Sequence, residues 1–137
     1  EFSRDAALGH ELVVFGEQFW RPYCHVRDFS RAIEATLAAD IDTVAYETFN
    51  VGDSSENYTK AMIVDLLRDR VPSLQVTFVA RDEDPRDYRV NCDKIRDRLG
   101  FTVSRTVREG IIEVVDAVER GIFQDPFDPR YSNSARV

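Results

Sequence analysis

Trp20-Arg21-Pro22-Tyr23-Cys24-His25-Val26-Arg27-Asp28 is the stretch on which the reading of this chain turns. An arginine sits on a short aromatic-flanked run, and an acidic residue follows where a helix begins. A planar guanidinium placed this way suits bidentate capture of a phosphate or carboxylate. Just upstream, Leu12-Val13-Val14-Phe15 reads as a short strand ended by Gly16. Downstream, Val26, Phe29, Ile33 and Leu37 recur every three to four residues, which predicts a helix from about Asp28 to Ala39.

Thr48-Phe49-Asn50-Val51-Gly52 reads as a buried strand leaving through a glycine turn. Asn57 or Thr59 can cap the next helix, with Met62, Ile63, Leu66 and Leu67 on its inner face and Pro72 as its stop. Val76-Thr77-Phe78-Val79 is a third strand, followed by an acidic, arginine-bearing loop from Arg81 to Arg89. A short helix from Asp93 to Leu99 ends at Gly100, a natural left-handed cap. Thr106 and Glu109 form a capping-box pattern for a last helix lined by Ile111, Val115, Val118 and Ile122. Residues 124–137 read as a polar, proline-bearing tail on the surface. The fold class is therefore mixed α/β, with few strands and about four helices. The strand at Phe49 is too apolar for an exposed edge, so a partner sheet is expected from further sequence or from another chain.

The chain has 137 residues, 43% hydrophobic and 31% charged, enough for one globular domain with a core. No apolar run approaches the about 20 residues of a membrane span, and no signal-peptide pattern opens the chain. The net charge of -7 argues against a nucleic-acid surface. Cys24 and Cys92 are expected as free thiols in a cytoplasmic protein. With His10 and His25 they show no metal-ligand spacing. His25 has Asp28 nearby, which invites a catalytic dyad, but a structural histidine bonded to the helix start is the better reading.

Two kinds of redox machinery are missing. A dinucleotide pyrophosphate is cradled by closely spaced glycines between a strand and a helix, and no two of Gly9, Gly16, Gly52, Gly100, Gly110 and Gly121 are three residues apart. Lys60 and Lys94, the only lysines, are preceded four residues earlier by Glu56 and Val90, so no tyrosine–lysine pair forms at that spacing. No catalytic or cofactor-binding residue is therefore expected in this chain.

What is present comes in a distinctive order. Gly16 precedes Arg21; His25-Val26-Arg27-Asp28 enters a helix with Arg31-Ala32-Ile33; Phe49-Asn50-Val51-Gly52 and Asn57-Tyr58-Thr59 follow. Asp84-Pro85-Arg86-Asp87-Tyr88-Arg89-Val90 then leads to Lys94-Ile95, Leu99-Gly100-Phe101 and Glu109-Gly110-Ile111. This set, from about Ala6 to Phe123, resembles the C-terminal, substrate-binding part of the extended short-chain dehydrogenase/reductases, the NAD-dependent nucleotide-sugar epimerases and dehydratases.

The resemblance implies a nucleotide-sugar-binding domain over residues 1–123, part of a larger isomerase or lyase. Its N-terminal Rossmann part would supply NAD or NADP and catalysis. Relatives commonly form homodimers. The resemblance also implies that Arg21 reaches the nucleotide diphosphate, joined by a second arginine best matched by Arg81, with Arg86 a close competitor. Asn57 matches a polar residue able to reach phosphate or sugar; the alternative is a helix cap. For the arginines, the alternative is pairing with Asp82, Glu83, Asp84 or Asp87. Tyr23 and Tyr88 are expected in the core rather than stacked on a base. Many relatives carry Pro-Gly where this chain has Asp82-Glu83, and that added charge opposes a diphosphate. A stand-alone, non-catalytic nucleotide-sugar-binding or interaction module is the alternative function.

Overall fold

The computed structural model describes residues 1–131. The chain opens with α1 (Phe2–Ala7), then β1 (Leu12–Phe15) and β2 (Trp20–Pro22). Next come α2 (Val26–Ala38), the single turn α3 (Ile41–Val44), β3 (Asn57–Thr59) and α4 (Lys60–Arg70). β4 (Val76–Val79), α5 (Asp93–Leu99), α6 (Val107–Glu119) and a 3-10 turn at Pro129–Tyr131 complete the order.

Two strands fall where their apolar runs put them. β1 and β4 pair in parallel, Leu12 opposite Val76 and Phe15 opposite Val79. Leu12 and Val14 point into the core, while Val13 and Phe15 point out, the period-two alternation of a sheet with one covered face. A second ribbon is antiparallel: β2 pairs with β3, Trp20 opposite Thr59 and Pro22 opposite Asn57. The aromatic run is therefore partly strand rather than loop.

The main core joins Ala6, Leu12, Val14, Ile63, Val64 and Leu67 to Ile111 and Val115. On α4 it is Val64, not Met62, that is buried, while Met62 is exposed. The helix is rotated so that Ile63, Val64 and Leu67 enter the main core. α6 buries Ile111, Val115 and Val118, whereas Ile122 lies beyond its end and is exposed. The Thr106 hydroxyl accepts from the Glu109 N–H and the Glu109 carboxylate accepts from the Thr106 N–H, closing the expected capping box. Gly100 caps α5 at φ +63°.

A smaller cluster of Ala32, Cys92, Ile95 and Phe101 lies under Phe49, Val51, Val90 and Val103. Here two expectations change. Phe49–Gly52 is not a strand, because no strand lies beside it to supply a ladder among the described residues. And α2 turns its apolar stripe outward: Val26, Phe29, Ile33 and Leu37 are all exposed, while Asp28 and Ala32 are buried. Each such side chain left in water forgoes about 1.5–3 kcal/mol of burial.

The C-terminal segment is not wholly detached. Phe127 stacks on His10 with ring centres 5.7 Å apart, and Arg4 lies 4.2 Å over the Phe127 ring. Of residues 124–137, read as a tail, 132–137 lie outside the described residues. No described helix is long and apolar enough to cross a membrane.

Candidate functional site

β2 carries Arg21 to a loop sixty-three residues downstream. One guanidinium nitrogen donates to the Asp84 carboxylate; the other donates to the Arg86 carbonyl and, at 2.6 Å, to the Trp20 carbonyl. Asp84 is the hub of the cluster. Its side chain is 1% exposed, with the Lys60 ammonium at 3.7 Å and the Arg86 guanidinium at 3.5 Å. The Arg86 main-chain N–H and the Arg21 guanidinium hold the Asp84 carboxyl down at about 2, against the opposing effect of burial. Three cations thus share one carboxylate.

The same loop is fastened at three further points. The Trp20 N–H donates to Asp87 at 2.7 Å, and Arg89 stacks 4.9 Å over the Trp20 ring. Asn57 binds Val90 through both groups: its amide donates to the Val90 carbonyl at 2.9 Å and its oxygen accepts from the Val90 N–H at 2.8 Å. The Asn57 amide also reaches the Ser54 carbonyl at 2.8 Å. Asn57 is therefore not the helix cap; Thr59 is, accepting from the Met62 N–H.

The four residues singled out from the sequence all touch or belong to this loop, in different states. Arg21 is held by Asp84 and Asn57 by Val90. The Arg86 side chain is 73% exposed and only loosely paired. Arg81 is exposed beside Gly16 and makes no ion pair among the described residues, its carbonyl accepting from Gln18. The loop's outer side faces a cavity of about 530 Å³ lined by Phe19, Asp82, Glu83, Asp84, Pro85 and Asp87. That wall repels phosphate. Pro22, Tyr23, Gly52, Asp53 and Val90 help line a separate, less acidic cavity of about 380 Å³.

Sequence reasoning weighed Asp28 only as a partner for His25 and missed its buried structural role. It is fully buried and accepts from Arg31, from the Ser104 N–H and hydroxyl, and from the Arg105 N–H. Burial alone would raise its carboxyl; those hydrogen bonds outweigh it and hold the group below the usual range. Asp28 is committed to the loop before α6 and does not pair with His25. His25 instead caps α2, its Nδ1 accepting from the Arg27 N–H at 3.2 Å, with Glu113 3.4 Å from Nε2. Tyr23 packs on the core and lies edge-on to Tyr58, while Tyr88, expected in the core, is exposed. Burial pushes the Cys24 thiol up to about 11, which disfavours a nucleophilic thiolate.

β1 runs through Gly16 into β2 rather than into a helix N-terminus. That connection does not fit a dinucleotide pyrophosphate, which needs helix N–H groups beyond a glycine turn. No cluster of metal-ligating side chains occurs among the described residues.

No family model matches the chain. It is 30% identical over 122 residues to a dTDP-glucose 4,6-dehydratase of Shigella flexneri, covering 82% of this chain and 33% of that protein. Its fold matches a UDP-glucuronic acid 4-epimerase of Bacillus cereus, solved with UDP-glucuronic acid and NAD. There the TM-score is 0.72 at 17% identity, over 88% of this chain and 38% of that one. A UDP-glucose 4-epimerase of Thermus thermophilus, solved with NAD, gives 0.71 at 20% identity, over 89% and 39%. The chain spans about a third of the length of the curated relatives it matches. With its ordered motifs and its two-ribbon α/β fold, the chain is similar in sequence and fold to the C-terminal part of the extended short-chain dehydrogenase/reductases that are nucleotide-sugar epimerases and dehydratases.

Proposed function

We propose that this chain is the nucleotide-sugar-binding portion of an NAD-dependent nucleotide-sugar epimerase or dehydratase. It holds the diphosphate while an N-terminal Rossmann part of the same polypeptide supplies cofactor and catalysis. The observation that carries this reading is Arg21, fixed on β2 by the Arg86 carbonyl and Asp84, with Lys60, Arg81 and Arg86 on or beside the same loop. Charge-assisted hydrogen bonds from such a group orient a diphosphate, and binding the unreacting nucleotide positions the reacting sugar. Asn57 supports the site by anchoring Val90, so its role is to place the loop.

The test is calorimetric titration of the chain with UDP-, dTDP-, GDP- and CDP-sugars. One class of nucleotide is expected to bind, and Arg21→Ala to weaken it at least about tenfold, a loss of about 1.4 kcal/mol. Arg21→Lys keeps the charge for Asp84 and loses the bidentate fork, so it controls for folding. The reading falls if no nucleotide binds and Arg21→Ala leaves the KM of the longer enzyme unchanged.

A further inference from the structure

We infer that Lys60 is a positioning residue for the nucleotide diphosphate: its ammonium takes over the Asp84 carboxylate when the ligand draws on the charge of Arg21. The inference rests on the reading above that Arg21 anchors a diphosphate. It adds what becomes of the anion already seated there.

Lys60 stands where local rules disfavour it. It is the first residue of α4, and a cation in the first turn opposes the helix dipole, whose positive end favours acids. No acidic residue occupies that turn to offset it. A local rule broken at one position points to a demand from elsewhere in the fold. The ammonium answers to two groups. It donates to the Phe15 carbonyl at 2.7 Å, at the end of β1, and it lies 3.7 Å from Oδ2 of Asp84.

Oδ2 is also the oxygen that Arg21 holds, so one carboxylate atom faces both cations. The two contacts differ in kind. Arg21 donates a hydrogen bond, whereas 3.7 Å is too long for one and leaves only attraction between charges. Both hydrogens of the other Arg21 terminal nitrogen go to the Trp20 and Arg86 carbonyls. A bidentate ligand is left with the Nε–H and the nitrogen that serves Asp84. Its charge therefore arrives beside a carboxylate whose side chain is 1% exposed. A buried carboxylate that loses its partner is strongly destabilising. The Lys60 stem is flexible, and closing by about 1 Å brings its ammonium to hydrogen-bond distance of Oδ2. Arg86 is the weaker substitute: its side chain is 73% exposed against 19% for Lys60, so water screens it more.

The experiment is a double-mutant cycle, read by calorimetric titration with those of the UDP-, dTDP-, GDP- and CDP-sugars that the parent chain binds. Lys60→Met keeps the stem and removes the charge. It should weaken nucleotide binding at least about tenfold, and Lys60→Arg should return affinity to within about threefold of the parent. In Asp84→Asn and Asp84→Ser backgrounds there is no carboxylate to hold, so Lys60→Met should change affinity less than about threefold. Lys94→Met, which removes the chain's other lysine, should bind as the parent does. All titrations are run below the lowest melting temperature of the set. A tenfold loss in every background overturns the proposal, since Lys60 then acts on the phosphate or on the fold directly. Unchanged affinity of Lys60→Met, or failure of Lys60→Arg to restore it, also overturns the proposal and leaves the ligand reading standing. A parent chain that binds no nucleotide overturns both.

Discussion

The Arg21 guanidinium rests on the Asp84 carboxylate, so the arginine that best fits a ligand anchor already has an internal anion. Lys60 and Arg86 lie about the same carboxylate, and together these contacts pin the acidic loop to β2.

The first prediction follows from the depressed Asp84 carboxyl. A carboxyl held at about 2, against an ordinary 3.8, stabilises the fold above pH 4 and loses that contribution as pH falls from 4 through 2. Asp84→Asn removes it. Urea midpoints measured from pH 2 to 6 should show the variant less stable than the parent above pH 4, with the gap closing toward pH 2. A gap that does not change with pH would mean Asp84 acts by shape alone.

Asp28 carries the second prediction. Replacing it with Ala strands the Ser104 and Arg105 N–H groups and opens a hole between α2 and the loop before α6. Unsatisfied buried donors cost about 1–3 kcal/mol, so Asp28→Ala should lose about 3 kcal/mol by urea unfolding. Asp28→Asn keeps the volume and one acceptor, and about half that loss is expected. Equal stability of all three proteins would show that the joint carries no weight.

What was legible in the sequence was what is local. β1, β4, α5, the Gly100 cap and the Thr106–Glu109 box each depend on residues within one run, and each lies where the pattern placed it. β2 and β3 were missed because three-residue strands carry no periodicity, and their pairing spans the whole of α2. α1 was missed too, although Phe2 and Ala6, spaced by four, both pack on the main core. The α2 stripe shows the converse: spacing identifies an apolar face but not what covers it. Asp28 reads from sequence as an acidic helix start and a possible partner of His25, because Ser104 and Arg105, which hold it besides Arg31, lie 76 and 77 residues away. The arginine loop was found, but only the structure tells that Arg21 is engaged by Asp84 while Arg81 makes no ion pair among the described residues.

Two glycines separate backbone strain from crowding, and they give the last prediction. Gly100 at φ +63° has nothing within 4 Å of a built Cβ. Gly100→Ala therefore meets only the left-handed penalty, about 1–2 kcal/mol. Gly16 at φ +60° pays the same penalty and also sets a Cβ 2.4 Å from the Phe19 ring and 3.2 Å from the Arg81 Cβ. Phe19 is buried, so the ring has little room to yield. Gly16→Ala should cost more than Gly100→Ala and disturb the entry to β2, on which Arg21 is carried. Urea unfolding ranks the two stabilities, and nucleotide titration reads the second effect. Gly100→Ala should leave nucleotide affinity at the parent value, and Gly16→Ala should weaken it severalfold. If both variants bind like the parent, the Gly16 turn does not position Arg21.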